Sequence, residues 1–178
     1  MNLLSEMLKF RLKFKTMNIF IVGPMGSGKS TVGKILSDEL FLNFYDTDEE
    51  IELRTGASID WIFDLEGEEG FRKRESNILK ELSNIKNTVV GTGGGIIISH
   101  ENREVIKNLG FVVYLTASIK ELTYRTEQDK SRPLINSANT QEVIANLIKE
   151  RQEYYEKTSN IKISTDNYDT VKISKIII

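Results

Sequence analysis

Gly23-Pro24-Met25-Gly26-Ser27-Gly28-Lys29-Ser30-Thr31 is the stretch on which the fold of this chain turns. It fits the pattern G-x-x-x-x-G-K-S/T and stands between a short apolar run and a helical one, the setting a phosphate-binding loop requires. Before it, Ile19-Phe20-Ile21-Val22 reads as a buried strand; after it, Val32, Ile35, Leu36 and Leu40 recur at helical spacing. The glycines let backbone N–H groups turn inward around phosphate oxygens, and the following helix aims the positive end of its dipole at them. In such a loop Lys29 reaches the β- and γ-phosphates and the Ser30 hydroxyl ligates Mg²⁺. The reading is a nucleoside triphosphate site.

The rest of the composition is that of a small soluble domain. At 178 residues the chain is most simply one domain with a continuous core. Hydrophobic residues at 39% and charged residues at 28% describe an ordinary soluble globule. A net charge of −2 argues against a broad nucleic-acid-binding surface. With no cysteine there is neither a disulfide frame nor a thiolate metal site, and the single histidine, His100, reads as a surface residue. No apolar run approaches the roughly 20 residues of a membrane span, so a cytoplasmic location without a membrane partner is expected.

Residues 1–16 differ in character from the remainder of the chain. Lys9, Arg11, Lys13 and Lys15 alternate with Leu8, Phe10, Leu12 and Phe14, without the apolar stretch or small-residue cleavage site of a signal peptide. Such a segment suits a weak membrane-surface or partner-binding arm. The simpler reading is a non-essential extension ahead of a single domain spanning 17–178, because the first core strand begins directly after Met17.

Beyond the loop helix the pattern alternates. Phe41 to Tyr45 reads as a second strand, followed by helical segments at about 48–54, 58–64 and 68–83. Thr88-Val89-Val90 is a third strand ending in Gly91-Thr92-Gly93-Gly94-Gly95, then come a helix near 101–108 and the strand Phe111 to Leu115. A helix near 118–126 runs into the polar stretch Glu127 to Thr140; a long helix at about 141–157, a strand at 161–164 and an amphipathic segment at 168–176 complete the chain. Strands alternating with helices imply a parallel sheet covered on both faces, and ligands of such sheets gather at the carboxyl ends of the strands.

The residues just after each strand are the chemically unusual ones. Asp46-Thr47-Asp48 follows the second strand, and residues two apart on an extended chain face one way, which would aim both carboxylates into one site. A local alternative is a capping box of Thr47 with Glu50. The apolar strands end in Gly91 and Thr116, so neither supplies the usual metal-holding aspartate. Asp46 and Asp48 are then the best carboxylates for a metal's water shell and a substrate hydroxyl. The triplet Gly93-Gly94-Gly95 suits close backbone approach by a small ligand. Arg72, Arg125 and Arg151 could each lie on a solvated face. Arg132 differs, because a polar stretch of a dozen residues is uncommon unless it forms a lid, and a lid arginine can close on a transferred phosphoryl group. Trp61, Ile62 and Phe63 read as core.

From Met17 to about Asp166 the chain resembles the shikimate kinases. The likeness rests on the Gly23–Gly33 run, Asp46-Thr47-Asp48, Ile62-Phe63 with Gly67-Glu68 and Phe71-Arg72, Thr92 to Gly95, Asn102-Arg103 and Arg132-Pro133-Leu134, in that order. The resemblance implies a P-loop NTPase fold of the nucleoside-monophosphate-kinase type: three α/β/α layers, a five-stranded parallel sheet, a substrate-binding helical region at about 46–75 and a mobile lid at about 126–140. It implies that Gly26, Ser27, Gly28, Lys29, Ser30 and Thr31 bind ATP phosphates with Arg132 from the lid, and that Arg125 lies near the adenine. Mg²⁺ would be held by Ser30 and, through water, by Asp46. Asp48 would bind the substrate hydroxyls and act as base, Arg72 and Arg151 would hold the substrate carboxylate, and Gly93, Gly94 and Gly95 would bring backbone to it. The first 16 residues have no counterpart in the family pattern.

The expected reaction is transfer of the ATP γ-phosphoryl group to the 3-hydroxyl of shikimate by a monomer. Two alternatives stay open on the residues alone: a kinase of the same fold acting on gluconate or a nucleotide, and a nucleotide-binding regulatory module without catalysis.

Overall fold

Asn18–Val22 (β1) is buried at every position, as the apolar run Ile19–Val22 must be when helices cover both faces of its sheet. The structure, a computed structural model, describes residues 17–128, 139–166 and 169–178. β1 is the middle of a five-stranded parallel sheet whose other strands are Asn43–Asp46 (β2), Thr88–Gly91 (β3), Gly110–Thr116 (β4) and Ile161–Ser164 (β5), in the order β2-β3-β1-β4-β5. Phe20 lies between Val90 on one side and Val112 on the other.

Side chains along β1 alternate between two cores, as the strand period demands. Phe20 and Val22 join one cluster; Ile19 and Ile21 join the other. The first is closed by Thr47–Thr55 (α2), Ile59–Ser83 (α3), His100–Leu109 (α4) and Thr140–Thr158 (α6), through Ile51, Leu79, Ile106 and Tyr155. The second is closed by Lys29–Leu40 (α1) and Thr170–Ile177 (α7), through Val32, Leu36, Ile173 and Ile177. Ile119–Gln128 (α5) packs beside α6. The expected three-layer α/β/α architecture is therefore present, and no helix among the described residues is long and apolar enough to cross a membrane.

Four local expectations need correction. Phe41 belongs to no strand: it ends α1 in a left-handed conformation and is 79% exposed, so β2 starts at Asn43. The segments expected at 58–64 and 68–83 run as one element, broken at Gly67, whose φ of 69° and ψ of −176° leave helical space. Trp61 is not core; it is 56% exposed while Ile62 is 2% exposed, because successive helix residues point about 100° apart. Phe63 does pack inward, 4.6 Å from the Phe71 ring. The local alternative of a Thr47–Glu50 capping box is replaced by an Asp46 cap. Of the expected lid, residues 129–138, Arg132 among them, lie outside the described residues, as do 1–16.

Candidate active site

The loop between β1 and α1 folds back through a turn in which the Ser27 N–H donates to the Pro24 carbonyl at 3.3 Å. Gly28, at φ 85° and ψ 19°, caps α1 and brings no side chain to its free N–H groups, which leaves those donors for an anion. Over this loop lies a cavity of about 140 Å³, walled by Gly26, Gly28, Lys29, Ser30 and Thr31 and, across from them, Arg125 and Thr126 of α5. Lys29 reaches across the loop to the Pro24 carbonyl at 2.9 Å. Ser27 is the exception among the expected phosphate binders: it is fully buried behind the loop and does not line the cavity. Arg125 donates to Glu121 at 2.8 Å, to the Gly26 carbonyl at 3.3 Å and to both the hydroxyl and the carbonyl of Thr165, at 2.9 and 3.1 Å. It thereby ties α5 to the loop and to the residue after β5. Thr126 had no signal in the sequence; a threonine on an ordinary amphipathic helix is unremarkable.

A second cavity, of about 410 Å³, opens between α2, α3, α6 and the glycine turn after β3. Asp48, Arg72, Gly93, Gly94, Gly95 and Arg151 all line it, so residues spread over more than a hundred positions of sequence meet in one place. Its apolar wall includes Phe63 and Phe71. Arg72 lies over the Phe71 ring, 5.4 Å from its centre, and donates to Glu75 at 2.9 Å and to Glu68 at 3.0 Å. Burial works against its charge, but the two carboxylates outweigh that and hold the guanidinium above its ordinary range. A Cβ on Gly95 would stand 2.1 Å from Arg72 Nη1, so only glycine lets the guanidinium lie against the turn.

Glu75 is a participant that the sequence reading missed. It is 1% exposed and has one oxygen on Arg72, while Oε1 has no hydrogen-bond partner among the described residues. Burial pushes its carboxyl up to about 7; Arg72 pulls the other way and the like charge of Asp48 adds to the rise. The available signal was its place in the apolar stripe Phe71, Ile78, Leu79 and Leu82 of α3, where an acid is out of character. Thr47 was also missed: its buried hydroxyl accepts from the Gly93 N–H at 2.8 Å and so fixes the start of the glycine turn.

The two cavities share Met25, Ser30, Asp46 and Asp48 as a common wall. Asp46 and Asp48 do meet there, though not by the alternation of an extended chain. The strand stops at Asp46, which caps α2 by accepting from the N–H groups of Asp48 at 3.0 Å and Glu49 at 3.5 Å, and Asp48 stands in the first turn of the helix. The other oxygen of Asp46 accepts from the Ser30 hydroxyl at 2.6 Å. A hydroxyl and a carboxylate side by side at the edge of the phosphate-sized cavity form a hard, all-oxygen donor pair. Mg²⁺ accepts such a pair because it keeps several waters and takes few protein ligands. Among the described residues no group of three or more His, Cys, Asp or Glu could hold a metal without such help.

Comparison with known proteins agrees with this geometry. The family model described as "Shikimate kinase" matches residues 25–178. A shikimate kinase of Legionella pneumophila is 44% identical over 164 residues, covering 92% of this chain and 94% of the relative. One of Buchnera aphidicola is 46% identical over 162 residues, covering 90% and 94%. Among solved structures, a shikimate kinase from Acinetobacter baumannii in complex with shikimate superposes with a TM-score of 0.89 at 42% identity, covering 94% of each chain. With a phosphate loop, an adjoining arginine-lined cavity and relatives this similar over nearly the whole length, the chain belongs to the shikimate kinase family.

Proposed function

We infer that this chain transfers the γ-phosphoryl group of ATP to the 3-hydroxyl of shikimate, giving shikimate 3-phosphate and ADP. The observation that carries the reading is the wall common to the two cavities, formed by Ser30, Asp46 and Asp48. A triphosphate on the loop and a hydroxylated acid in the larger cavity would meet across it.

Phosphoryl transfer asks little covalent chemistry of a protein, so positioning and charge neutralisation carry the rate. Gly26, Gly28, Lys29, Ser30 and Thr31 hold the phosphates, and Lys29 leaves the Pro24 carbonyl to do so. Arg125 lies at the adenine side. Arg72 and Arg151 grip the substrate carboxylate, since a guanidinium fork matches a planar carboxylate with two parallel hydrogen bonds. The Gly93–Gly95 turn brings backbone against the ring. Asp48 accepts a hydrogen bond from the 3-hydroxyl, orients it in line with the γ-phosphorus and takes its proton as the new O–P bond forms and the bond to ADP breaks. Arg132, on the lid, offsets charge on the transferred group. Ser30, and Asp46 through water, would hold Mg²⁺, which when bound neutralises charge on the phosphate oxygens. The acting unit is a monomer of residues 17–178, with 1–16 as a non-essential extension. It works in the cytoplasm on small molecules, with neither nucleic acid nor membrane as partner, a reading that the net charge of −2 supports.

A panel assay with Mg·ATP against shikimate, gluconate and nucleoside monophosphates tests the reading. ADP release and a phosphorylated product are expected with shikimate alone. Tight ATP binding without product from any acceptor would overturn it in favour of a regulatory module.

A further inference from the structure

We propose that Tyr155 is a positioning residue for substrate binding: its hydroxyl fixes the plane of the Gly94–Gly95 peptide and thereby sets how Arg72 and Arg151 face each other across the cavity. The phenol is 1% exposed and donates to the Gly94 carbonyl. The Arg151 Nη1 reaches the same oxygen at 3.5 Å. The peptide is trans, so with its carbonyl held against α6 its N–H faces the opposite way. On that peptide's far end, Gly95 lies so close to Arg72 that an added Cβ would stand 2.1 Å from Nη1. One flat unit therefore spaces the two guanidinium groups, with Arg151 against its oxygen and Arg72 against its last carbon.

A Cβ on Gly94 would make ordinary contacts, 3.4 Å from the Gly23 carbonyl oxygen, 3.6 Å from Met25 N and 3.7 Å from the Tyr155 hydroxyl, so the turn lies between the phosphate loop and α6 with room for about a methyl group. Thr47 holds its start through the Gly93 N–H, and the Gly93 and Gly95 carbonyls accept from the Ile96 and Ile98 N–H groups at 3.3 and 3.0 Å. The Gly94 carbonyl is the acceptor of the turn that faces α6, where Tyr155 and Arg151 meet it. Tyr155 is in turn immobilised by stacking on Tyr114, with ring centres 4.9 Å apart and planes at 16°. Burial first, and the nearby Tyr114 and Glu75, push the phenol well above its ordinary range against the pull of Arg151, so it stays a donor throughout the working pH. A hydroxyl that donates to a carbonyl also polarises the N–H of that peptide, a cooperative gain for anything the turn offers a ligand.

The proposal rests on the assignment of Arg72 and Arg151 to the substrate carboxylate, and the test separates the two. Tyr155→Phe keeps the ring and its stack and removes the hydroxyl, leaving Arg151 at 3.5 Å as the donor that remains on the Gly94 carbonyl. The expected result is a shikimate KM raised about five- to tenfold, the worth of one buried hydrogen bond, with kcat and the KM for ATP within about twofold of the parent. In an Arg151→Ala background the same change adds less than about twofold, because the geometry it protects is already lost. An unchanged shikimate KM, an equal rise in the ATP KM, or full additivity with Arg151→Ala each overturns the proposal. If Arg151→Ala alone leaves the shikimate KM unchanged, the assignment of that arginine fails instead, and the proposal with it. Should Tyr155→Phe not fold, 3-fluorotyrosine at position 155 supplies a stronger donor in the same shape: a lower shikimate KM supports the proposal and an unmoved one ends it.

Discussion

Replacing Glu75 with glutamine keeps the shape of the side chain and removes its charge, and the effects on stability and on binding run in opposite directions. The carboxyl is 1% exposed, and burial, only partly offset by Arg72, raises it from the ordinary 4.5 to about 7. The unfolded chain releases this proton near pH 4.5, whereas the folded protein keeps it until about pH 7. Stability from this group is therefore complete below pH 4.5 and is lost as the pH rises through 7. At about 1.4 kcal/mol per pKa unit, the swing is about 3 kcal/mol. That is a large part of the roughly 5–15 kcal/mol that keeps a domain folded. Glutamine has no proton to release, so E75Q lacks the swing.

The assay is urea unfolding of both proteins at pH 5, 6, 7 and 8, with linear extrapolation to water. Subtracting the two curves cancels the groups remote from Glu75 and leaves Glu75 with its coupling to Arg72 and Asp48. The parent is expected to lose ground to E75Q by up to about 3 kcal/mol between pH 5 and pH 8. Binding moves the other way. Above pH 7, where Glu75 is ionised, a neutral amide replaces the anion that holds Arg72 at 2.9 Å, and a charge-assisted bond is roughly twice as strong as a neutral one. The shikimate KM of E75Q should rise about tenfold, the equivalent of 1.4 kcal/mol. Parallel stability curves over the whole pH range would refute the reasoning, because they would mean that the carboxyl titrates alike in the folded and unfolded chains.

Asp48→Ala is expected to lower kcat by about 100-fold or more, the usual worth of a positioned base, with the fold intact by circular dichroism; near-normal turnover would remove Asp48 from the reaction. Arg72→Lys should raise the shikimate KM roughly tenfold with little change in the ATP KM, since one ammonium cannot serve Glu68, Glu75 and a substrate carboxylate together. Steady-state kinetics with each substrate varied in turn checks this, and an unchanged shikimate KM contradicts the role of Arg72. Deletion of residues 1–16 should leave turnover and melting temperature as they are, and a marked loss of either would make the segment part of the working enzyme.

What the sequence makes legible here is whatever sits at a strand end. The Gly23–Thr31 loop, Asp46 and Asp48 after β2 and the glycine triplet after β3 are punctuation in an otherwise regular pattern, and parallel-sheet topology says where such punctuation goes. Arg72 and Arg151 are different. Both sit inside helices, where an arginine ordinarily faces water, and resemblance rather than spacing marked them for the substrate. Their convergence on the glycine turn depends on how α3 and α6 lie on one face of the sheet, a tertiary fact that no local pattern carries. Boundaries went astray for local reasons: Phe41 takes a left-handed cap that an apolar residue does not advertise, and Gly67 interrupts a helix without ending it. The cap at Asp46 shows the same limit in finer detail. Extended alternation and a Thr47 capping box were both reasonable, but the chain turns helical one residue earlier than the first allows, and Thr47 is drawn away from the second by the Gly93 N–H.

Glu75 and Tyr155 point to a rule for what was missed. Each occupies a position in the buried stripe of its helix, beside Phe71, Ile78 and Leu79 in one case and Ile144 in the other. Burying a carboxyl or a hydroxyl is unfavourable unless a partner compensates, and in both cases that partner belongs to the cavity: Arg72 for Glu75 and the Gly94 carbonyl for Tyr155. Isosteric apolar residues at these positions would pack without that cost and would leave the guanidinium and the glycine turn free to move. The polar atoms in the stripe thus exchange some stability for a site held in one geometry, and the direction of the E75Q experiment, firmer folding at high pH with weaker substrate binding, is the measurable form of that exchange.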